Sequence, residues 1–421
     1  MTFAASGLNM SSGPPRIALY SHDTMGLGHA RRNGLIARAL ACPPLGAEVL
    51  LVTGAREAGT FPLPAGVDCL TLPAYRKGRD GQYTARSLIR ATASLTDLRT
   101  RLIDVALERF DPDVFIVDNV PRGALNELDP VLDRLRREGR TRCVLGMRDI
   151  LDAPETVRRQ WAGLDNEAVI ERSYDAVWVY GDRRVNDVVR SYALGPSTAA
   201  RLRHVGYLDQ RLRLADAPVV MAPDRFVLCC VGGGQDGARL ARTFLETELP
   251  AGTKGLVLPG PFMPADIRRA LEGRAAERPG FAVLPFVTEP IGLIARAERV
   301  VAMAGYNTVN EILSLGRPGL VVPRVRPREE QLVRARKLAA LGLIDWLHPD
   351  DLDPGSLGEW LDRPFQLWAE PRRQLDFGAL DALPPLIQAL LSGPRVQPAP
   401  EASVFSSSHE GYRHADDPRA A

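Results

Sequence analysis

Short apolar runs alternate with longer amphipathic segments along most of the chain. In the first half the runs are RIALYS, AEVLLVTG, VDCLTLP, DVFIVDN, RCVLGMRD and DAVWVYGD, and in the second half they are RFVLCCVGG, KGLVLPG, FAVLPF, RVVAMAG and PGLVVP. Nearly continuous apolar strands flanked by helices are typical of parallel sheets that are covered on both faces. The pattern therefore predicts an α/β fold with two doubly wound, Rossmann-like domains that face a cleft.

The boundary between the two series of strands predicts the domain limits. Residues 204–225 follow the last predicted strand of the first series and precede the first strand of the second, so we expect a hinge there. We assign residues 14–210 to a first domain and residues 222–391 to a second domain. Residues 392–421 are rich in Pro, Ser, Ala and charge, and they are predicted to form a disordered tail because they cannot bury enough apolar surface.

Composition narrows the functional classes. The chain of 421 residues is long enough for two or three domains, and its net charge of +2 gives no reason to expect a nucleic-acid partner. The five cysteines have neither C-x-x-C nor Cys…His spacing, which argues against a disulfide framework and against a zinc site. No export signal and no membrane-spanning run is visible. We expect a cytoplasmic protein without a metal site.

Two glycine-rich turns follow predicted strands. The first lies in YSHDTMGLGHARRN, which leads into a basic helix, and the second lies in CCVGGGQDGARL. In open parallel sheets, ligands bind beyond the carboxyl ends of the strands, where glycine lets backbone N–H groups approach a phosphate. A tight turn without a ligand is the alternative for either stretch. Neither stretch contains G-x-G-x-x-G or G-K-[ST], which argues against dinucleotide-binding and P-loop sites.

A third informative segment is RVVAMAGYNTVNEILSLGRPGLVVP. Its strand is followed by Gly305 and by a helix in which Asn307 and Glu311 share one face. A carboxylate one turn into a helix at the ligand edge of a sheet is suited to accept two hydrogen bonds from a ribose diol. The next strand leads through an arginine-rich loop to Glu330 and Gln331. For Glu311 alone, an exposed helix charge is the alternative.

These motifs resemble those of GT-B glycosyltransferases. The resemblance is closest to the branch that contains the lipid-linked N-acetylglucosamine transferase of peptidoglycan synthesis and its uncharacterised relatives. The segments AGYNTVNEI, GRPGLVVP and EEQ stand where that branch has Ser-Gly-Ala with a T-V-[SN]-E-I helix start, a G-x-P strand and a loop ending in Gln. GGGQDGAR and MGLGH are similar to its two glycine-rich turns. The resemblance covers most of residues 16–390 and is firmest in the second half.

The resemblance implies an inverting, metal-independent transfer of a hexose-type sugar, with no cofactor. The implied donor is a nucleoside-diphosphate sugar, for which UDP is the expected nucleotide, and the acceptor is an unidentified small molecule or lipid-linked compound, with peripheral membrane contact as a further expectation. Carried over by position, the donor-binding residues are Gly232, Gly233, Gly234, Gln235, Ile291, Gly305, Asn307, Thr308, Glu311, Glu330 and Gln331.

Two departures from the family pattern leave the base and the sugar of the donor open. Glu330 stands where the family has the first of two glutamines, and Met303 stands where it has an arginine. The second half of the chain therefore predicts the position of the donor site better than the identity of the donor.

In the first domain, polar residues at predicted strand ends and in the first glycine turn are the acceptor-site candidates. They are Gly26, Gly28, Arg31, Asp118, Asn119, Arg148 and Asp149. Capping of loops and helices is the alternative for these groups. His29 is the candidate catalytic base, because imidazole titrates near neutrality and a helix N-terminus favours its neutral form. His22 and Asp23 are the alternative bases, or partners that orient His29, and a helix cap or a contact with the diphosphate is the alternative role for His29 itself.

Two other functions fit the same motifs. A nucleotide-sugar epimerase would use the same donor site without an acceptor hydroxyl from another molecule. A non-catalytic protein that binds a nucleotide sugar in a regulatory role would need the donor residues alone.

Overall fold

A computed structural model describes residues 13–23, 28–60, 62–78, 82–234, 236–285, 287, 289–364 and 370–395. Two of the predicted site residues, Gly26 and Gln235, lie outside this part of the chain, as does the predicted tail beyond residue 395. The other predicted site residues are all within it.

The first half of the chain forms a parallel sheet. Its strands are β1 (Arg16–Ser21), β2 (Glu48–Thr53), β3 (Val67–Thr71), β6 (Val114–Asp118), β7 (Arg142–Arg148), β8 (Ala176–Tyr180) and β9 (Leu202–Gly206). They lie in the order β3-β2-β1-β6-β7-β8-β9. Between β3 and β6 in the sequence, β4 (Tyr75–Lys77) and β5 (Tyr83–Ala85) form an antiparallel hairpin. The strand order reverses between β1 and β6, which is the hallmark of a doubly wound sheet.

Helices cross between these strands. They are α1 (Gly28–Ala41), α2 (Thr92–Phe110), α3 (Asp129–Glu138), α4 (Pro154–Gly163), α5 (Asn166–Ser173), α6 (Val188–Tyr192) and α7 (Pro196–Arg201), with 3-10 turns at Arg56–Thr60 and Ala124–Asn126. Because successive strand residues point to opposite faces, Ile17 and Leu19 of β1 join a core with α1, whereas Ala18 and Tyr20 join a second core with α2 and α3. Both faces of the sheet are therefore buried.

The second half forms another parallel sheet. Its strands are β10 (Phe226–Cys230), β11 (Lys254–Leu258), β12 (Phe281–Val283), β13 (Arg299–Met303), β14 (Gly319–Val322) and β15 (Asp345–Trp346), in the order β12-β11-β10-β13-β14-β15. The order reverses between β10 and β13. The linker from the first sheet contains a 3-10 helix, Gln210–Asp216.

Helices of the second half are α8 (Ala238–Glu246), α9 (Ala265–Ala276), α10 (Ile291–Arg296), α11 (Tyr306–Ser314), α12 (Glu330–Ala340), α13 (Pro354–Asp362), α14 (Pro371–Gln374) and α15 (Ala379–Ser392), with a 3-10 turn at Pro349–Asp351. The last helix, α15, returns to pack on α1 and β9 of the first sheet. Two residues of the predicted tail contact the first sheet. The carbonyl of Gly393 accepts a hydrogen bond from Arg142 in β7, and Arg395 donates to the carbonyl of Thr141, directly before β7.

The strands predicted from the apolar runs are all present, and the fold class is confirmed. Four short strands were missed, namely β4, β5, β9 and β15. The sequence of β9, LRHVG, mixes polar and apolar residues at an edge of the sheet, and three of its residues are not buried. The expected hinge at residues 204–225 therefore begins inside a strand. The two reversal points, β1/β6 and β10/β13, are where doubly wound sheets bind ligands.

Candidate functional site

His29 and Asp118 meet at the reversal point of the first sheet. Nδ1 of His29, in the first turn of α1, lies 2.5 Å from Oδ2 of Asp118 at the end of β6. Arg32, one turn along α1, donates a hydrogen bond to the other oxygen of the same carboxylate. Asp118 and Arg32 are buried, whereas 17% of the His29 side chain is exposed. A buried ion pair therefore holds an accessible imidazole.

The charges of this group determine the tautomer of His29. Burial alone would raise the pKa of Asp118, but the adjacent Arg32 and His29 hold that pKa well below its usual range. The carboxylate is therefore ionised and can only accept hydrogen bonds, so its 2.5 Å contact assigns the hydrogen to Nδ1 of His29, and Nη2 of Arg32 lies 2.9 Å from the same nitrogen. Its Nε2 then has a free lone pair, which is the state that a general base requires.

His22 and Asp23 occupy the loop between β1 and α1. The ring of His22 lies with its centroid 5.3 Å from that of His29. Burial, followed by the charge of His29, lowers the pKa of His22 to about 3, so this ring is neutral at pH 7. Asp23 accepts hydrogen bonds from Thr53, at 2.5 Å, and from Ser21. Asp23 thus joins the ends of β1 and β2, and Asp118 is the carboxylate that orients His29.

The other acceptor-site candidates lie on or next to β6 and β7. Oδ1 of Asn119 accepts hydrogen bonds from the backbone N–H and from Nε of Arg148, each at 3.3 Å. Asp149 is enclosed: its Oδ2 accepts from Tyr207 at 2.5 Å and its Oδ1 accepts from the N–H of Ile150 at 2.8 Å. Burial raises the pKa of Asp149. Arg148 and Asn119 are thus partly exposed at the cleft, whereas the carboxylate of Asp149 supports the loop.

Glu311 in α11 forms part of a buried network at the second reversal point. Its Oε1 accepts a hydrogen bond from Arg213 at 2.6 Å, and Arg213 also donates to both oxygens of Glu289, at 2.5 and 2.9 Å, and to Gln210. Glu311 is 3% exposed, so it is not the exposed helix charge that the alternative required. Sequence analysis missed Arg213, in the 3-10 helix of the linker, and Glu289, in the loop before α10, because neither belongs to a motif.

The glycine turn after β10 is packed against a second glycine. Gly232 and Gly234 have positive φ angles of 60° and 89°. A Cβ at position 260 would overlap the backbone of Gly233, so the two loops approach as closely as glycines allow. The N–H groups of Gly232 and Gly233 donate to no backbone acceptor among the residues described, and both residues are exposed. These groups are available for a phosphate.

Glu330 and Gln331, at the start of α12, are fixed by one arginine. Arg324 donates from its backbone to Oε1 of Gln331 at 3.0 Å and from its side chain to Oε1 of Glu330 at 2.6 Å. A second terminal nitrogen of Arg324 donates to Asp236 in the loop after β10. Oε2 of Glu330 is buried and has no hydrogen-bond partner in the described chain. That oxygen can accept a hydrogen bond from a ligand hydroxyl.

The start of α11 touches the first domain. Gly305 is its N-cap, and Asn307 and Thr308 in its first turn are half-buried. A Cβ at Gly28, the first residue of α1, would overlap the Asn307 side chain. A larger residue at position 28 would therefore require the Asn307 side chain to move. Ile291 is fully buried at the start of α10, where its N–H donates to Glu289 at 3.1 Å.

A largely apolar cavity of about 310 Å³ lies between α1, β2 and the linker. Its charged lining groups are Arg31, Arg38, Arg213, Asp216 and Glu289. Burial, and then the charge of Arg213, lowers the pKa of Arg31. Arg31 therefore faces the ion pairs of the linker, next to the network that holds Glu311.

Polar contacts join the two domains behind the cleft. The hydroxyl of Tyr306 in α11 donates to the carbonyl of Tyr180 at the end of β8, at 2.9 Å. The buried guanidinium of Arg334 in α12 donates to the carbonyl of Ala304 at 2.9 Å and to that of Ile150 at 3.2 Å. One arginine thus bridges a loop of each domain.

Two further features are absent from the described residues. None of the helices there is both long and apolar enough to span a membrane. No group of three or more His, Cys, Asp or Glu side chains in that part of the chain has the arrangement of a metal site.

Sequence comparison identifies the second domain. Residues 228–366 match the Glycosyltransferase family 28 C-terminal domain. Over 200 residues the chain is 31% identical to the UDP-N-acetylglucosamine--N-acetylmuramyl-(pentapeptide) pyrophosphoryl-undecaprenol N-acetylglucosamine transferase of Brucella anthropi, an alignment that covers 42% of this chain and 50% of the relative. The chain thus spans about half the length of the curated relative that it matches.

Solved structures share the fold over most of the chain. The glycotransferase of kitacinnamycin has a TM-score of 0.60 at 17% identity, covering 90% of this chain and 100% of its own. The UDP-GlcNAc 2-epimerase of Methanocaldococcus jannaschii has a TM-score of 0.58 at 12% identity, covering 89% and 99%. At these identities the likeness concerns the fold alone. Together with the family 28 match, it confirms the resemblance to GT-B glycosyltransferases that the motifs predicted.

Proposed function

We propose that this chain, which carries a family 28 C-terminal domain in a GT-B fold, is an inverting glycosyltransferase of the hexosyltransferase type. In the proposed reaction a hexose-type sugar moves from a nucleoside-diphosphate sugar, with UDP as the expected nucleotide, to an acceptor hydroxyl, without a metal ion. The acceptor is a small molecule or a lipid-linked compound, and the reaction takes place in the cytoplasm or at the membrane surface.

The observation that carries the proposal is the placement of two complementary groups at the two reversal points. The first sheet presents an oriented imidazole, His29 on Asp118, and the second presents glycine N–H groups, a helix start and the buried carboxylate of Glu311. Transfer from a nucleotide sugar needs a base on the acceptor side and an anion-binding surface on the donor side. The close approach of the starts of α1 and α11, at Gly28 and Asn307, supports a common site for these groups.

On the donor side, each group has a distinct proposed role. Glu311 binds the ribose hydroxyls, after exchanging part of its contact with Arg213. The N–H groups of Gly232 and Gly233, together with the start of α11 at Gly305, bind the diphosphate, whose negative charge they stabilise as it leaves. Glu330, through its unpartnered Oε2, accepts a hydrogen bond from a sugar hydroxyl.

On the acceptor side, His29 removes the proton. The acceptor oxygen attacks the anomeric carbon from the face opposite to the diphosphate, so the configuration inverts. The acceptor proton passes to Nε2 of His29 as the new glycosidic bond forms and the bond to the diphosphate oxygen breaks. Asp118 stabilises the imidazolium that results, and it does so without taking the proton itself.

Incubation with a panel of nucleoside-diphosphate sugars tests this proposal. We expect the nucleoside diphosphate to be released in proportion to sugar transfer, and only when an acceptor from a cell extract is added. Conversion of the sugar without an extract would instead identify an epimerase, an activity compatible with the shared fold of a 2-epimerase. Saturable binding of the donor without any conversion would identify a regulatory binding protein.

A further inference from the structure

Arg148 is a cation at the carboxyl end of β7 with almost nothing to neutralise it. Its Nε donates a weak hydrogen bond to Oδ1 of Asn119, at 3.3 Å. Within the described residues, neither terminal nitrogen of this guanidinium meets a hydrogen-bond acceptor or a carboxylate. The side chain is half-buried, so these nitrogens are desolvated without being shut off from the cleft.

The arginines around it have partners at their terminal nitrogens, although Nε of each is buried without a hydrogen-bond partner in the described chain. Arg32 is paired with Asp118, Arg324 is paired with Glu330, and Arg334 donates to two backbone carbonyls. Arg334 also lacks a carboxylate partner, but Arg148 is the member of this group in which neither terminal nitrogen has a hydrogen-bond partner among the described residues. Arginine binds carboxylates and phosphates through two parallel hydrogen bonds, and such a pair needs both terminal nitrogens or one of them with Nε.

The electrostatic surroundings favour an added anion. Burial, and then the like charges of Arg32 and Arg334, lower the pKa of Arg148 to about 10, whereas Glu330 and Asp118 act in the opposite direction. Asp118 is paired with Arg32, and Oε1 of Glu330 is paired with Arg324. A ligand oxyanion at Arg148 would relieve the repulsion among the three guanidinium groups.

The position of Arg148 relates this charge to the reaction. Its hydrogen-bond partner, Asn119, directly follows the Asp118 that holds His29, and the charge of Asp118 acts on Arg148, so Arg148 lies at the same edge of the sheet as the proposed base. Glu330, the proposed sugar contact, is among the charges that act on Arg148 from the other domain. An anion bound here would be close both to the acceptor hydroxyl and to the transferred sugar.

We propose that Arg148 binds a carboxylate or phosphate group carried by one of the two substrates next to the reacting centre, so that the enzyme selects an anionic substrate. This inference rests on the proposed function and deepens it by naming the chemical class of one substrate. The anion belongs either to the sugar of the donor, as in a uronic acid, or to the acceptor, and the same two hydrogen bonds would recognise it in both cases.

The first measurement isolates the anion site with inorganic phosphate. The protein is saturated with UDP, so that the diphosphate site is filled, and phosphate is then titrated by calorimetry. We expect saturable binding that is about 10- to 100-fold weaker in Arg148→Gln, as for the loss of hydrogen bonds between charged groups. Arg148→Lys should retain part of the affinity, and the exposed Arg183→Gln should change nothing. Equal affinity in Arg148→Gln and the unsubstituted protein would overturn the proposal.

The second measurement identifies the substrate that carries the anion. If the sugar carries it, UDP-glucuronate should bind at least tenfold more tightly than UDP-glucose, and Arg148→Gln should abolish the difference. If the acceptor carries it, the two donors should bind alike, and acceptors with a free carboxylate or phosphate should be glycosylated with a lower KM than their methyl esters. Phosphate binding with no preference in either comparison would show an adventitious ion only and would overturn the inference.

The failure of this inference is distinguishable from that of the proposed function. UDP binding to the unsubstituted protein reports the donor site of the second domain, which does not contain Arg148. If UDP binds and is released from a donor during transfer, but no selectivity depends on Arg148, the glycosyltransferase proposal stands and the anionic substrate does not. If neither UDP nor any nucleotide sugar binds, the glycosyltransferase proposal fails.

Discussion

Asp118 holds His29 with Oδ2 at 2.5 Å from Nδ1, while its other oxygen accepts a hydrogen bond from Arg32. His29 follows β1 and Asp118 ends β6, so the pair spans the point at which the strand order reverses. One buried carboxylate thus neutralises an arginine and also fixes the tautomer of an imidazole. Its environment keeps it ionised, because it lies between two groups that carry or can carry positive charge.

Replacing His29 by alanine should slow the chemical step. The loss of a general base typically lowers the rate by about 10²–10⁴-fold, so we expect kcat to fall in this range. The dissociation constant of the donor should stay within a few-fold, because the donor groups lie mainly in the second domain. Steady-state kinetics and a donor titration on the same preparation measure both quantities.

His348→Ala is the matched control, because His348 follows β15 in the second domain and contacts only Asp350 among the carboxylates described. Its kcat should equal that of the unsubstituted protein. If His29→Ala retains kcat within a few-fold, the base is another group, and His22 and Asp23 are the residues to replace next.

The buried, neutral His22 should make the protein less stable in mild acid. Its pKa is about 3 in the folded chain and near 6.5 when unfolded, so below pH 6.5 the unfolded chain takes up a proton that the folded chain does not. The free energy of unfolding should therefore decrease as the pH falls, by up to about 1.4 kcal/mol per pH unit from this group. Urea unfolding between pH 6.5 and 4.5 measures this slope.

His22→Gln should show a shallower slope over the same range, whatever its absolute stability. The pKa of Asp118 is lowered, so its contribution is lost only at more acidic pH and does not enter this window. His348→Gln should keep the slope of the unsubstituted protein. Parallel curves for His22→Gln and the unsubstituted protein would show that His22 is not the titrating group.

The fold could be predicted from sequence because its signal is local. Strands such as RIALYS and FVLCC are buried on both faces, so an uninterrupted apolar run is enough to identify them. The edge strand β9 has no such run, since LRHVG owes its position to pairing with β8 rather than to its own composition. Local patterning therefore predicts the centre of each sheet better than its edges.

The site could be predicted only where a motif marks it. Glu311 and Gly232 lie in recognisable segments, and strand order explains why Asp118 and His29 share an edge of the sheet. The contact between Asp118 and His29 depends on helix orientation, and that between Glu311 and Arg213 depends on the path of the linker, over a separation of 98 residues. No pattern in the local sequence encodes such pairings, which the packing of whole elements determines.

Glu311→Ala should weaken nucleotide binding without unfolding the protein. The lost hydrogen bonds to a charged acceptor correspond to about 1.5–3 kcal/mol of binding free energy, which is about 10- to 150-fold in affinity. Arg213 keeps its contacts with Glu289 and Gln210, so the buried guanidinium remains paired and the fold is retained. Calorimetric titration with UDP measures the change.

Glu298→Ala is the control for that titration, since Glu298 lies before β13 and pairs with Arg225 at the surface. It should bind UDP as the unsubstituted protein does. An unchanged affinity in Glu311→Ala would limit Glu311 to its structural pairing with Arg213.

Arg334→Ala should loosen the contact between the domains. The substitution removes the hydrogen bonds from Arg334 to the carbonyls of Ala304 and Ile150, and these carbonyls lose that partner between the domains. We expect the free energy of unfolding to fall by about 2–4 kcal/mol. Arg336→Ala, on the exposed side of the same helix, is the matched control. It removes only a contact with the ring of Trp346, at 5.5 Å, and should change stability by about 1 kcal/mol or less. Thermal and urea unfolding of the two variants test this difference.

The Arg334 contact between the two domains also bears on how the protein responds to its donor. Because donor groups of the second domain face the base of the first, binding should favour the closed arrangement and reduce the radius of gyration in small-angle scattering. Arg334→Ala stabilises the closed arrangement less, so it should be more expanded than the unsubstituted protein without ligand and should compact by a larger amount when a donor saturates it. Arg336→Ala should follow the unsubstituted protein. Identical dimensions with and without donor, in all three proteins, would show that the cleft does not close on its ligand.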